Sequence, residues 1–436
     1  MLLPAIFTTN AEILERKSNI LPLNPVNGDT WSKTYTQPGW ETYITCIDQT
    51  TDGGYILLGH LRNEANDHKI WLIKINGNGD TLWEKFFNGI AGEIQQTNDG
   101  GYVLVGTTKL FGDGLHENIW LIKTDENGNE EWNKTFGGNY DAHGISGQQT
   151  KDGGYIFTGY KEYSGNKRDG WIIKTDDIGE IEWEKTIDKD GYDAIDFIQQ
   201  TADGGYIFIG VTGAEYPSEL FLWLQKIDPN GDEIWSKTWL YPDCNTTLHA
   251  HVQQTSDGGY IVVAWIMFIQ EDPPAVDTQI WLIKTDANGE MIWDKMYGKT
   301  TDSLWSTDSA SMVQQTNDGG YIITGGLQKT LFNYADLLIL KTNANGEKEW
   351  EKTYGKPWFH TEIGQCIEQT SDGGFIIGAV KSDNSDEPDS RKGWVIKTDE
   401  KGNFQRSRSR SINPLLSTLL ARFPVISKFL QLINNF

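Results

Sequence analysis

The chain has 436 residues and carries 37 Lys and Arg against 61 Asp and Glu, a formal charge of −24. That balance excludes nucleic acids and other polyanions as partners, because such a surface cannot neutralise a run of phosphates. Three cysteines exclude a disulfide-stapled scaffold, and an aromatic content of 12%, with 18 Trp, excludes intrinsic disorder.

In chain order, residues 1–27 form an N-terminal arm. Its short apolar run from Leu2 to Phe7 has no basic leader and reads as the remnant of a longer leader. Residues 28–403 are filled by a repeat. A phrase of the form Gln-Thr-x-Asp-Gly-Gly-Tyr recurs with its Asp at Asp52, Asp99, Asp152, Asp203, Asp257, Asp318 and Asp372, and Phe375 replaces the last Tyr. The six steps from Asp52 to Asp372 give a mean period of about 53 residues. Each unit predicts four short strands. In the fifth unit they are the run ending Val252–Thr255, the Tyr-led run Tyr260–Ala264, the segment Ile280–Thr285, and the Trp-x-Lys segment at Trp293. The Asp-Gly-Gly and the later Asn-Gly-type turn supply two tight hairpins, the second with a glycine at Gly79, Gly128, Gly179, Gly231, Gly289, Gly346 and Gly402 where a positive φ is expected. Seven such units predict an all-β, seven-bladed β-propeller with four antiparallel strands per blade.

Closure follows from one missing residue. The fourth-strand Trp recurs from Trp83 to Trp350, but Arg406 stands where the seventh copy should be. The absent copy is Trp31, followed by Lys33, so an N-terminal strand is expected to close the last blade. Residues 404–436 form a basic linker with Arg406, Arg408 and Arg410, then an apolar run from Ile412 to Phe436 at helical spacing, interrupted by Pro424. Arg422 and Lys428 oppose a spanning helix. A C-terminal amphipathic helix is expected, touching a membrane surface or docking on protein.

The segment Lys284–Trp293, with its Asp, turn Gly and Trp four residues later, resembles the tryptophan-docking repeat of quinoprotein-like propellers. The whole unit resembles tandem propeller repeats of extracellular and cell-surface prokaryotic proteins, and this resemblance implies an extracellular or cell-surface location. Seven units rather than eight, and no adjacent cysteine pair, separate the chain from quinone enzymes, so no cofactor is expected. Two sequons, at Asn133 and Asn245, suit a glycosylated exterior.

Residues shared by all units are read as structural. These are the third-strand lysines from Lys74 to Lys397, the glutamines from Gln49 to Gln369, and the Asp and Asn of the turns, which lack the spacing of a calcium loop. Ligand chemistry is expected on the face formed by the second-to-third loops and the blade connections, where the copies differ. His143, His249, His251, Asp193 and Asp308 fall there as channel-mouth candidates, and His249 and His251, two apart on a strand, face the same side. Trp40, Trp305 and Trp358 belong to no repeat position and lie in three connections that closure makes neighbours. With Tyr43, His360 and Glu362 they are the ligand-binding candidates, suited to a glycan, peptide or protein. A non-enzymatic binding propeller is the leading reading; an enzyme with a His and carboxylate site at the channel mouth, and a scaffold module for a surface assembly, stay open. Cys46 and Cys366 share one first-strand position in units that closure makes adjacent.

Overall fold

The computed structural model describes residues 30–404 apart from 110–114, 164–166, 190, 214–219, 243, 245, 272–273, 299–307, 329–334, 356–359 and 383–390. The predicted C-terminal helix lies outside the described residues. Among the described residues, twenty-eight strands form seven four-stranded antiparallel sheets that follow sequence order except that the first strand joins the last sheet, and one backbone bridge from Arg168 to Tyr192 links the third and fourth. Each sheet is a blade of a β-propeller. Its first strand lines the axis, and each such strand packs against the first strand of the next blade, the seventh against the first.

The inner edges cannot pair by β-hydrogen bonds, because neighbouring blades splay apart, yet their N–H groups need acceptors. Two rings of side chains supply them. The Gln preceding each Thr reaches one blade back: Gln96 accepts from the Thr51 N–H, Gln149 from Asn98, Gln200 from Lys151, Gln254 from Ala202, Gln315 from Ser256, Gln369 from Asn317, and Gln49 closes the circle on Ser371, at 2.8–3.0 Å. The residue before each Gln reaches one blade forward to that blade's Gln N–H, at 2.6–2.9 Å. Five blades use Gln there; the first and seventh use Asp48 and Glu368.

The rim is sealed by tryptophan. The outer-strand indole of each blade lies over the turn glycine of the next, so that a Cβ at Gly128 (φ +72°) would stand 2.5 Å from the Trp83 ring. The same indole meets the Tyr of the next blade's repeat phrase, edge-on or tilted at centroid distances of 5.5–6.4 Å, and Phe375 keeps the ring where Tyr is missing. Two residues on, Lys33, Lys134, Lys185 and Lys237 bridge to the carboxylate after that glycine at 2.5–2.8 Å. The expected closure is present. Trp31–Tyr35 pairs with Arg391–Thr398 as the outer strand of blade seven, Trp31 covers Gly79, and its Nε1 donates to the Gly77 carbonyl at 2.9 Å.

Within each blade the third-strand lysine is buried and folds under the Asp-Gly-Gly turn, its Nζ 2.8–3.1 Å from the turn Asp carboxylate. Partial burial raises these carboxyls, but hydrogen bonds from Lys and Thr outweigh it and hold Asp52, Asp99, Asp257 and Asp318 down to about 2. The second turn glycine touches this cluster: a Cβ at Gly54 would stand 2.4 Å from the Ile75 carbonyl and 2.7 Å from Lys74 Nζ. Both tight turns of every blade thus form one uniform face.

Two measurements follow. Deleting residues 1–36 removes the strand and indole that seal the ring; the expected outcome is a lowered melting temperature with aggregation through the opened edge, and an unchanged melting curve contradicts this closure. Burial, with Asp48 alongside, pushes the Glu368 carboxyl up to about 7. A raised carboxyl stabilises the fold fully below its unfolded value near 4.3, and the contribution is lost as pH rises through 7. Glu368→Gln, which supplies the amide found in five other blades, is expected to melt above the parent at pH 8 and to lose that advantage at pH 4.

Candidate ligand sites on the variable face and in the axial channel

The channel holds a cavity of about 440 Å³ to which all seven inner strands contribute. At the third place before each repeat Gln the side chains stand in one layer round the axis: Cys46, Glu93, Ser146, Phe197, His251, Met312 and Cys366. The backbone below this layer is near-identical from blade to blade, so the layer carries the chemistry. Glu93 accepts from the Gly147 N–H at 2.8 Å and Ser146 from the Ile198 N–H at 3.2 Å, continuing the inter-blade ties. Burial pushes the Glu93 carboxyl up to about 7 against its own hydrogen bonds with Ser146 and the Gly147 N–H. It also pushes the Cys46 and Cys366 thiols up, and both cysteines are free.

His249 and His251 share one face, as their spacing predicts, and both line this cavity. Burial and the neighbouring His249 pull His251 down to about 3, so it is neutral, and its ring lies 4.0 Å from that of Phe197. Burial alone would lower His249 too, but the Asp196 carboxylate, 3.5 Å from Nδ1, raises it. Asp196 also accepts from the Ala250 N–H at 3.0 Å. Trp265, directly across the hairpin from His249, completes this wall. Glu93 was not singled out from the sequence; the signal that finds it is the spread of residue types at the positions lining one layer.

The remaining channel-mouth candidates lie elsewhere. His143 sits 3.1 Å from Glu117 and packs on Tyr160, with centroids 4.8 Å apart. Asp193, Asp308 and Glu362 occupy one repeat position, the blade entrance, where blade one has Thr42. All are buried there. Asp193 accepts from the Lys189 N–H at 2.7 Å and from the Thr212 hydroxyl, and Asp308 accepts from the Gln328 N–H at 2.8 Å. These bonds tie blade connections to the sheets.

A second cavity, of about 560 Å³, opens on the variable face between blades one and two. Trp40, half-buried in the connection from the closing strand, forms one wall with Lys69, whose Nζ lies 4.8 Å from the indole centroid. Asn66 and Asp67 form the lip. There the backbone turns through Asn66 at φ +61°, and Asn63 and Asp67 exchange hydrogen bonds at 2.8–2.9 Å. His68, Asn88, Lys109 and Glu117 also line it, with Lys109 and Glu117 paired at 3.3 Å. His68 stacks on His60, their nitrogens 2.8 Å apart, and burial pulls His60 down to about 4. His60 in turn stacks on Tyr43, whose hydroxyl donates to Glu41 at 3.1 Å and accepts from Arg391 at 2.6 Å.

Of the three off-pattern tryptophans, Trp40 alone belongs to the described residues; Trp305 and Trp358 lie outside them. His360 Nδ1 is 2.9 Å from the Ser382 carbonyl, within its own blade. Among the described residues no group of three His, Cys, Asp or Glu is placed to hold a metal ion, and no helix is long and apolar enough to cross a membrane.

No family model matches the chain, and no curated protein matches it. Among solved structures it is similar to a puromycin hydrolase at 13% identity and a TM-score of 0.51, covering 85% of this chain and 54% of that one. It also aligns with the β-propeller domain of the Trilobed protease from Pyrococcus furiosus (11% identity, TM-score 0.45, 85% of this chain and 99% of that one). A third likeness is to the extracellular domains of Drosophila Semaphorin 1b (7% identity, TM-score 0.43, 84% and 86%). At these identities the likeness is one of fold. The chain is a β-propeller.

Proposed function

We propose that this protein is a non-enzymatic, extracellular or cell-surface propeller that binds a glycan in the cleft between blades one and two. The observation that carries the reading is the lining of that cleft, where a half-buried indole stands beside Asn66, Asp67, Asn88, Lys69 and Glu117. A sugar ring offers an apolar face to an aromatic ring and hydroxyls to planar amides and carboxylates, and a cleft of about 560 Å³ has the size of a small-ligand site. The cleft lies on the face where loop sequences differ between blades, which suits recognition on a rigid scaffold. The charge of −24 agrees with a soluble exterior domain that avoids polyanions.

One observation favours a second reading. Asp67 and Glu117 both line the cleft with His68, and two carboxylates at a sugar site are also the equipment of glycan cleavage.

A glycan array probed with the full chain tests the proposal. The expected outcome is a bound glycan whose affinity falls about tenfold or more in Trp40→Ala, the loss of one ring contact of about 1.4 kcal/mol. Absence of any bound glycan, or equal binding by Trp40→Ala, overturns it. Shortened products after incubation with the bound glycan support cleavage instead.

A further inference from the structure

The blade-five hairpin presents three nitrogen-bearing rings to the axial cavity: His249, His251 and Trp265. His251 is only 7% exposed, and neither of its ring nitrogens has a hydrogen-bond partner among the described residues; the Trp265 indole N–H has none either. A buried polar group left unpaired is destabilising, so these groups favour an occupant that can pair with them. The same wall carries an imidazole and a carboxyl group side by side, His249 and Asp196 at 3.5 Å. Glu93, three blades round the ring from His251, adds a second carboxyl to the lumen. Ile145, Phe197, Ala310, Met312 and Ile363 supply apolar surface between these groups.

A nitrogen donor beside a carboxyl group is complemented by an anion beside a cation. We propose that the axial cavity binds a small zwitterion, an α-amino acid with an apolar side chain: its carboxylate meets His249 and the Trp265 N–H, its ammonium meets Asp196 and Glu93, and its side chain packs on the apolar lining. His251 then donates to the carboxylate from one nitrogen. The site is separate from the cleft beside Trp40 and stands on different residues, so it does not depend on the glycan reading.

Isothermal titration of the full chain with L-leucine tests the proposal, alongside isopentylamine, which lacks the carboxylate, and 4-methylpentanoate, which lacks the ammonium. Leucine is expected to bind with one site per chain and each fragment at least about tenfold more weakly. Trp265→Phe keeps the ring and removes the N–H; with its melting temperature held, it is expected to weaken leucine about tenfold, and Asp196→Asn likewise. No heat of binding with millimolar leucine overturns the proposal. So does either fragment binding as tightly as leucine, or unchanged leucine affinity in folded Trp265→Phe.

Discussion

Seven sheets meet at the axis with their edges unpaired, and the structure depends on how those edges are satisfied. A bare edge is both an unfilled set of hydrogen bonds and a template for aggregation. Two glutamine-type side chains per blade resolve this by reaching sideways, one to the blade before and one to the blade after. A ring of such ties closes only at one radius, because each side chain has a fixed reach. The closed circle from Gln49 round to Gln369 therefore sets the bore of the channel, and with it the cavity that His249, His251 and Glu93 share. Asp48 and Glu368 serve the same geometry with carboxylates at the seam between the chain's two ends, and there the fold becomes sensitive to pH.

The rim and the turns divide the remaining work. Indoles over glycines fix how far each blade leans on the next, and only a glycine leaves room for the ring. The buried lysine beneath each Asp-Gly-Gly turn contributes little net stability, since desolvating an ion pair offsets much of its attraction. Its effect is positional. It pins the turn to the end of the third strand identically in all seven blades, so one face of the disc is invariant and the opposite face is free to diverge.

The architecture was legible because every structural device recurs at a fixed offset from the Asp-Gly-Gly phrase, and even the missing seventh tryptophan could be traced to Trp31. The sites were legible only in part. His249 and His251 announce themselves by their spacing on a strand. Asp196 and Glu93 stand on other blades, and only the packing of blades round one axis brings them into the cavity that the histidines line. Asp193, Asp308 and Glu362 stand out by type, and set beside Thr42 they share one buried repeat position, where Asp193 and Asp308 accept from the Lys189 and Gln328 N–H groups and Thr42 from that of Gly393. Trp40 stood out by belonging to no repeat, and it does wall a cleft.

A ring of near-identical strands offers a ligand near-identical surroundings in every direction, which cannot orient anything. Recognition in the channel requires that the symmetry be broken in side chains while the backbone keeps it. The layer three places before the repeat glutamine does this. Met312, Cys366 and Cys46 make one arc apolar and soft, with thiols that burial keeps protonated, while Glu93 and the blade-five imidazoles make the other polar. Cys46, Glu93, Ser146 and Met312 each still make a hydrogen bond to the next blade, so chemically different side chains serve the same tie while the lumen they line diverges. The polarity of the cavity therefore runs across the axis rather than along it, and a bound molecule would lie transversely, with its charged end towards blades two, four and five.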